Sequence, residues 1–271
     1  MNVPLSPFGV GRNPPALDVG RFKRENEKKF SLKTHPVNNV RTVSDTKRAF
    51  YTIHTRPINS IYRRVVEELM VEMHLLSVNV DFNYDPIYAL GVVTTFDRFM
   101  QGYRPENDKI SIFHGICKGV ESDPQKYRQD AQWLEEIATR HSGGEMVALL
   151  SRSAGPEMEG DFQGILGAIA AKPNFKYSRL FAVGLFTLLE QADLELVKNE
   201  KSRQDAVQSI CTALNLPPDK LSKDLDLYRS NLEKMIQARS VMEDILAADR
   251  KKREDRAKEK GAATVPPDSA E

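Results

Sequence analysis

An all-α fold, an irregular multi-helix bundle followed by a long C-terminal coiled-coil helix, is what this sequence predicts, on three observations. No stretch sustains the two-residue alternation of apolar and polar side chains that a half-buried strand needs. Ile58, Ile61, Tyr62, Val65, Val66, Leu69, Met73, Leu76 and Val80 fall on one helical stripe. From Leu221 onward, Leu225, Tyr228, Leu232, Met235, Met242 and Leu246 keep a four-three heptad rhythm whose one polar interruption is Arg239.

Taken in order, residues 1–37 form the first segment. Pro4, Pro7, Pro14, Pro15 and Pro36 with little apolar periodicity predict a disordered leader. Regular structure is expected from Ser44, whose hydroxyl can cap a helix through Tyr51. The stripe from Ile58 to Val80 predicts the next helix, with Arg63–Glu67 and Arg64–Glu68 on its polar side. Each such pair contributes only ~0.2–0.5 kcal/mol, so burial of the stripe must dominate.

Asp85-Pro86 and Asp123-Pro124 each place an N-cap acid before a proline at the first helical position, with Gly102 and Gly143 as the matching stops. The helix from Pro86 to Gln101 is apolar on most sides and is expected near the centre of the domain. That from Pro124 to His141 turns Tyr127, Ala131, Leu134 and Ala138 inward, with the single tryptophan, Trp133, close by. Further helices are expected over 107–119, 144–152, 160–171, 176–192 and 201–214. The heptad segment, if helical from Asp219 to Lys260, spans roughly 60 Å. Its basic end keeps Asp249–Arg253 and Glu254–Lys258 at pairing distance in sequence and should be a solvated helix fraying before Pro266. The predicted organisation is a helical globular domain over 38–216, a coiled-coil arm over 217–260 and a disordered tail over 261–271.

Composition narrows the function. Hydrophobic residues make up 40% and charged residues 28%, as in a water-soluble globular chain. The longest apolar run, Leu180 to Leu189, falls far short of the roughly 20 residues of a bilayer crossing and reads as a buried core helix. The N-terminus lacks the apolar core of a secretory signal, and Asp18, Glu25 and Glu27 suit a transit peptide poorly, so no cleavable export signal is expected. The formal net charge of +1 is uneven: residues 1–36 and 250–260 each carry seven Lys/Arg against three Asp/Glu, which leaves the stretch 37–249 mildly acidic. A nucleic-acid-binding core would show a clustered basic face instead, so no nucleic-acid partner is expected.

Catalytic and metal chemistry find no foothold. A di-iron bundle needs Glu-x-x-His on facing helices, whereas Glu72 lies two residues before His74, and Glu135 and Glu136 lie six and five before His141. Cys117 and Cys211 are far apart and in no ligand cluster, which argues against a disulfide scaffold or a zinc site. Cys117 reads as a buried inert thiol, and His54, His74 and His114 as hydrogen-bonded structural residues. No catalytic residue, cofactor or metal is expected. The heptad seam has two open readings: it folds back on the bundle, or Leu225, Tyr228, Leu232, Met235, Met242 and Leu246 meet a partner helix or a second copy. Arg250, Lys251, Lys252 and Arg253 read either as a solvated tip or as a contact for an anionic surface.

The stretch TVSDTKRAFYTIHTRPINSIYRRVVEELMVEMHLLSVNVDFNYDPIYALGVVTTFDRFMQGYRPE, Thr42 to Glu106, closely resembles the thylakoid formation family of cyanobacteria and chloroplasts, and the likeness continues through YSRLFAVGLFTLLE at Tyr177 to the terminal heptads. The resemblance implies a non-enzymatic, peripheral thylakoid factor of cyanobacterial type. It would associate with the FtsH protease complex, support its accumulation, and act in photosystem II assembly and repair. It implies a place on the cytoplasmic face of the thylakoid membrane, with a cytoplasmic pool. The alternative is a membrane-surface structural protein acting through lipid or vesicle contacts. The likeness begins near Asn38, which makes residues 1–36 additional and Val37 a candidate start.

Overall fold

The computed structural model describes residues 40–155 and 157–262, with side chains as far as Arg256. The leader of 1–37 and all but the first two residues of the tail of 261–271 lie outside the described residues, and so does the Glu254–Lys258 pair. Among the described residues there are eleven helices and no strand, so the all-α expectation is borne out.

Helix α1 (Val43–Ile53) is capped by Thr42 and not by Ser44. The Thr42 hydroxyl accepts from the Asp45 amide at 3.2 Å while the Asp45 carboxylate accepts from the Thr42 amide at 3.1 Å. That reciprocal box satisfies two free donors, where Ser44 alone would satisfy one. Helix α2 (Ser60–Ser77) is capped by Asn59 and buries Tyr62, Val66, Leu69, Met73 and Leu76 of the expected stripe. Val80 does not belong to it: the helix has already ended, and Val80 is 96% exposed. Arg64 pairs with Glu68 at 2.7 Å as its spacing predicts, whereas Glu67 reaches Lys47 of α1 at 3.5 Å in place of Arg63.

Helix α3 (Pro86–Phe99) starts at the Asp85 cap, which accepts from the Tyr88 amide at 2.8 Å. Every residue from Ile87 to Thr94 is buried, so α3 is the central helix its composition predicts. Helix α4 (Glu106–Gly119) lies along α1, and α5 (Pro124–Arg140), capped by Asp123, flanks α3. Gly143 is not a stop but the first residue of α6 (Gly143–Leu150). The break falls at His141 and Ser142, because Ser142 and Glu145 form a second capping box, with bonds of 3.4 and 2.8 Å, that starts a new helix there.

Helix α7 (Gly160–Ala171) brings Phe162 edge-on to Trp133 at 6.0 Å. Helix α8 (Arg179–Ala192) is buried from Leu180 through Leu189 and packs along α3, which forms the centre of the core. Asp193 ends α8 and caps the five-residue α9 (Leu194–Lys198), a turn the sequence pattern leaves inside a loop. Helix α10 (Glu200–Leu214) follows, and α11 (Pro218–Ala262) runs for 45 residues, or about 68 Å at ~1.5 Å per residue. No described helix is long and apolar enough to cross a membrane.

Candidate functional site

The base of α11 is anchored to the bundle. Leu221, Leu225 and Tyr228 are buried, the Tyr228 ring lies 5.8 Å from that of Phe99, and the Tyr177 hydroxyl donates to Asp224 at 2.8 Å. Farther along, Leu232, Met235 and Met242 are half-buried, and the Asn59 amide lies 3.8 Å from the Met242 sulfur. Arg239, the interruption of the heptads, also faces the body: its guanidinium donates to the Gln101 carbonyl at 3.2 Å, beside Gly102, whose φ of +79° turns the chain after α3. A charged residue at that seam position thus shares with the Tyr62 hydroxyl, which also donates at 3.2 Å, a carbonyl just past a helix end.

Of the six seam residues expected to meet a partner, Leu225 and Tyr228 are thus buried in the chain itself, Leu232, Met235 and Met242 partly so, and only Leu246 stands free, 51% exposed. The apolar side chains that α11 does offer to solvent are others: Leu227, Ile236, Val241 and Ile245, each 46–58% exposed. Sequence reading passed over them because they sit off the four-three rhythm. The four-residue step from Val241 to Ile245 is the signal that marks them as neighbours. Arg250, Lys251, Lys252 and Arg253 are all exposed on the following turns, and among the described residues no ion pair joins Asp249 to Arg253.

Between α2 and α11 opens a cleft of about 430 Å³ floored by α3 and α8. Ile61, Val65 and Leu69 line one side, Met235 and Ala238 the other, and Phe99, Leu180 and Val183 the floor. Its charges are mostly paired: Arg64 with Glu68 at 2.7 Å, and Arg179 with Glu72 at 2.5 Å. Burial pushes the Glu72 carboxyl above the usual carboxylate range, against the pull of the Arg179 charge. Lys234 projects at the same cleft with no ion pair among the described residues.

The nucleophiles and imidazoles are placed for structure. Burial raises the Cys117 thiol to about 12 and the Cys211 thiol to about 11, so neither supplies thiolate near neutral pH. His74 shares a 2.9 Å hydrogen bond with Thr46, and His54 one of the same length with Ser111. His114 departs from the expectation: it is exposed on α4, facing away from the core that Phe113 and Ile116 enter. Among the described residues no three His, Cys, Asp or Glu side chains gather as a metal site would require.

The architecture defines an all-helical protein with a buried two-helix centre and a long, partly free C-terminal helix. Residues 42–257 match the family described as thylakoid formation protein, and the chain belongs to that family. It is 64% identical over 228 residues to protein Thf1 of Trichormus variabilis, covering 84% of this chain and 98% of that one. It is 61% identical over 235 residues to protein Thf1 of Nostoc punctiforme, covering 87% and 100%. The solved structure of Psb29 superimposes with a TM-score of 0.68 at 43% identity, covering 79% of this chain and 98% of that chain. The family is described by thylakoid formation and not by a reaction.

Proposed function

We propose that the protein is a non-enzymatic adaptor that associates with the thylakoid FtsH protease complex, supports its accumulation, and so serves photosystem II biogenesis and repair. In this reading 38–216 is a globular body, 217–260 is an arm that holds the partner, and the protein works peripherally on the cytoplasmic face of the thylakoid membrane with a cytoplasmic pool. One observation carries it: beyond Tyr228, α11 keeps Ile236, Val241, Ile245 and Leu246 about half exposed, with Val241 and Ile245 one turn apart on the same side, and exposed apolar side chains paired on a helix face favour association with another protein. Family membership supports the thylakoid setting.

The test is affinity capture from solubilised thylakoids. A chain cut after Leu216 would strip Leu221, Leu225 and Tyr228 from the core, so the arm is better altered at its surface by Val241→Asp with Ile245→Asp. The expected result is FtsH recovered on the intact chain and lost on the doubly substituted one. No FtsH on the intact chain would defeat the adaptor reading; equal recovery on both would remove the arm from it.

The exposed run Arg250, Lys251, Lys252 and Arg253 favours a second reading, a structural protein at the membrane surface whose basic tip meets anionic lipid. Vesicle binding that vanishes at high salt, with or without the apolar substitutions, would mark it.

A further inference from the structure

Small-molecule sites are concave, some 300–1,000 Å³ in volume, mainly apolar, and carry a few convergent polar groups. The cleft between α2 and α11 meets that description at about 430 Å³. Two further observations specify what would fill it. Its charged side chains are Arg64, Arg179 and Lys234 against Glu68 and Glu72, an excess of one positive charge that rests on Lys234, the member without an ion pair.

The second observation is Thr95. Thr95 lines the cleft, and its buried hydroxyl oxygen makes no hydrogen bond among the described residues. A helical threonine ordinarily turns its hydroxyl back to the carbonyl four residues earlier, and Thr187 of α8 does so, donating to the Val183 carbonyl at 2.8 Å. Thr95 forgoes that bond, and its hydroxyl oxygen, shut off from solvent as the cleft stands, would gain a partner only from a ligand oxygen that enters the wall beside it; left unpaired, it carries a desolvation penalty.

We propose that this cleft binds a single-chain monoanionic amphiphile, its anionic head at Lys234, an oxygen accepting from Thr95, and its alkyl chain against Leu69, Val183 and Met235. A neutral amphiphile would leave the excess charge unmatched, and a cationic one would add to it.

Titration calorimetry on the full chain tests this with laurate and lauroyl lysophosphatidylglycerol below their micellar concentrations, and with dodecyltrimethylammonium as the cationic counterpart. At least one of the two anions should bind at one per chain, the tighter of them telling a free carboxylate from a lipid headgroup, and the cation should bind at least tenfold more weakly. Lys234→Glu, at an exposed position, should weaken the anion at least tenfold, and Ala238→Trp should block it by filling the cleft while the melting temperature stays put. Thr95→Val should weaken binding yet raise the melting temperature, because it removes a buried unpaired hydroxyl. Failure of both anions to bind, equal binding of the cation, or binding indifferent to Lys234→Glu and Ala238→Trp would overturn the proposal, the last by assigning the amphiphile to the exposed arm.

Discussion

Gly91 of α3 and Gly184 of α8 sit back to back where the two central helices cross. A β-carbon added at Gly91 would lie 1.7 Å from the Leu180 carbonyl oxygen, and one added at Gly184 would lie 1.9 Å from the Ile87 carbonyl oxygen. Both neighbours are helix backbone and cannot swing aside as a side chain could. The two helices therefore touch through their main chains at this point, and the apolar residues to either side, Ile87, Leu90, Leu180 and Leu188, are buried.

Gly91→Ala or Gly184→Ala should consequently push α3 and α8 apart. Overpacking a core typically costs ~1–3 kcal/mol, and here the cost should reach the upper end or pass it, although alanine is by itself the better helix former. Thermal unfolding followed by circular dichroism checks this. Gly164→Ala on α7 is the control, since a β-carbon there meets nothing within 4 Å, and it should be neutral or stabilising.

That crossing was not legible from the pattern, whereas the helices that form it were. Asp85-Pro86 announces α3 by local chemistry alone, and the unbroken apolar run announces a buried α8. The choice of partner helix depends on a non-local backbone approach, which one sequence does not encode as a spacing. The same division holds at the arm. The heptad rhythm puts Leu225 and Tyr228 on one face of α11, and that face meets this chain's own body, because period fixes which residues share a face and says nothing of what covers it. The cleft was invisible for the same reason: Thr95, Glu72, Arg179 and Lys234 come from four different helices.

Arg239 fastens the middle of α11 to the turn after α3 through the Gln101 carbonyl, with Gly102 beneath its side chain. Arg239→Ala should loosen that attachment more than it destabilises the molecule. A single hydrogen bond to a charged donor contributes ~1.5–3 kcal/mol at best, and this one lies at a part-exposed position, so the global loss should stay near or below ~1 kcal/mol. Amide hydrogen exchange should rise from about residue 236 outward and around 100–103, while α3 and α8 keep their protection. Unchanged exchange in the arm would show that Met235 and Met242 hold it without the arginine.

The thiols offer a simple report on integrity. With Cys117 raised to about 12 and Cys211 to about 11 by burial, neither is ionised or accessible in the folded chain. Labelling by a maleimide or an aromatic disulfide at pH 8 should be at least a hundredfold slower than for the denatured protein. Both sites should then react together as denaturant unfolds the core. Rapid labelling of Cys117 under native conditions would contradict its place in α4.

Asp85 gives the stability of this fold a distinctive dependence on pH. Burial is the larger influence and pushes its carboxyl up to about 7, despite the Tyr88 and Ile87 amides that favour its ionised form. The folded state thus holds this proton at pH values where the unfolded chain, with an ordinary aspartate, has lost it. The stabilisation so gained is fully present below pH ~4 and disappears as pH rises to about 7. Glu72, also raised mainly by burial, slopes the same way. His54 and His74 are lowered mainly by burial and slope oppositely, since their unfolded forms take up protons first as pH falls below ~6.5. The wild-type curve therefore mixes opposing trends, and a variant isolates one of them. Asparagine can still cap α3 but cannot ionise, so Asp85→Asn should gain stability relative to wild type between pH 4.5 and 7.5, by at most ~4 kcal/mol for a shift of about three units. Urea denaturation at several pH values measures this difference, and a difference that stayed flat with pH would mean that Asp85 titrates as an ordinary aspartate and that its cap is more solvated than its burial indicates.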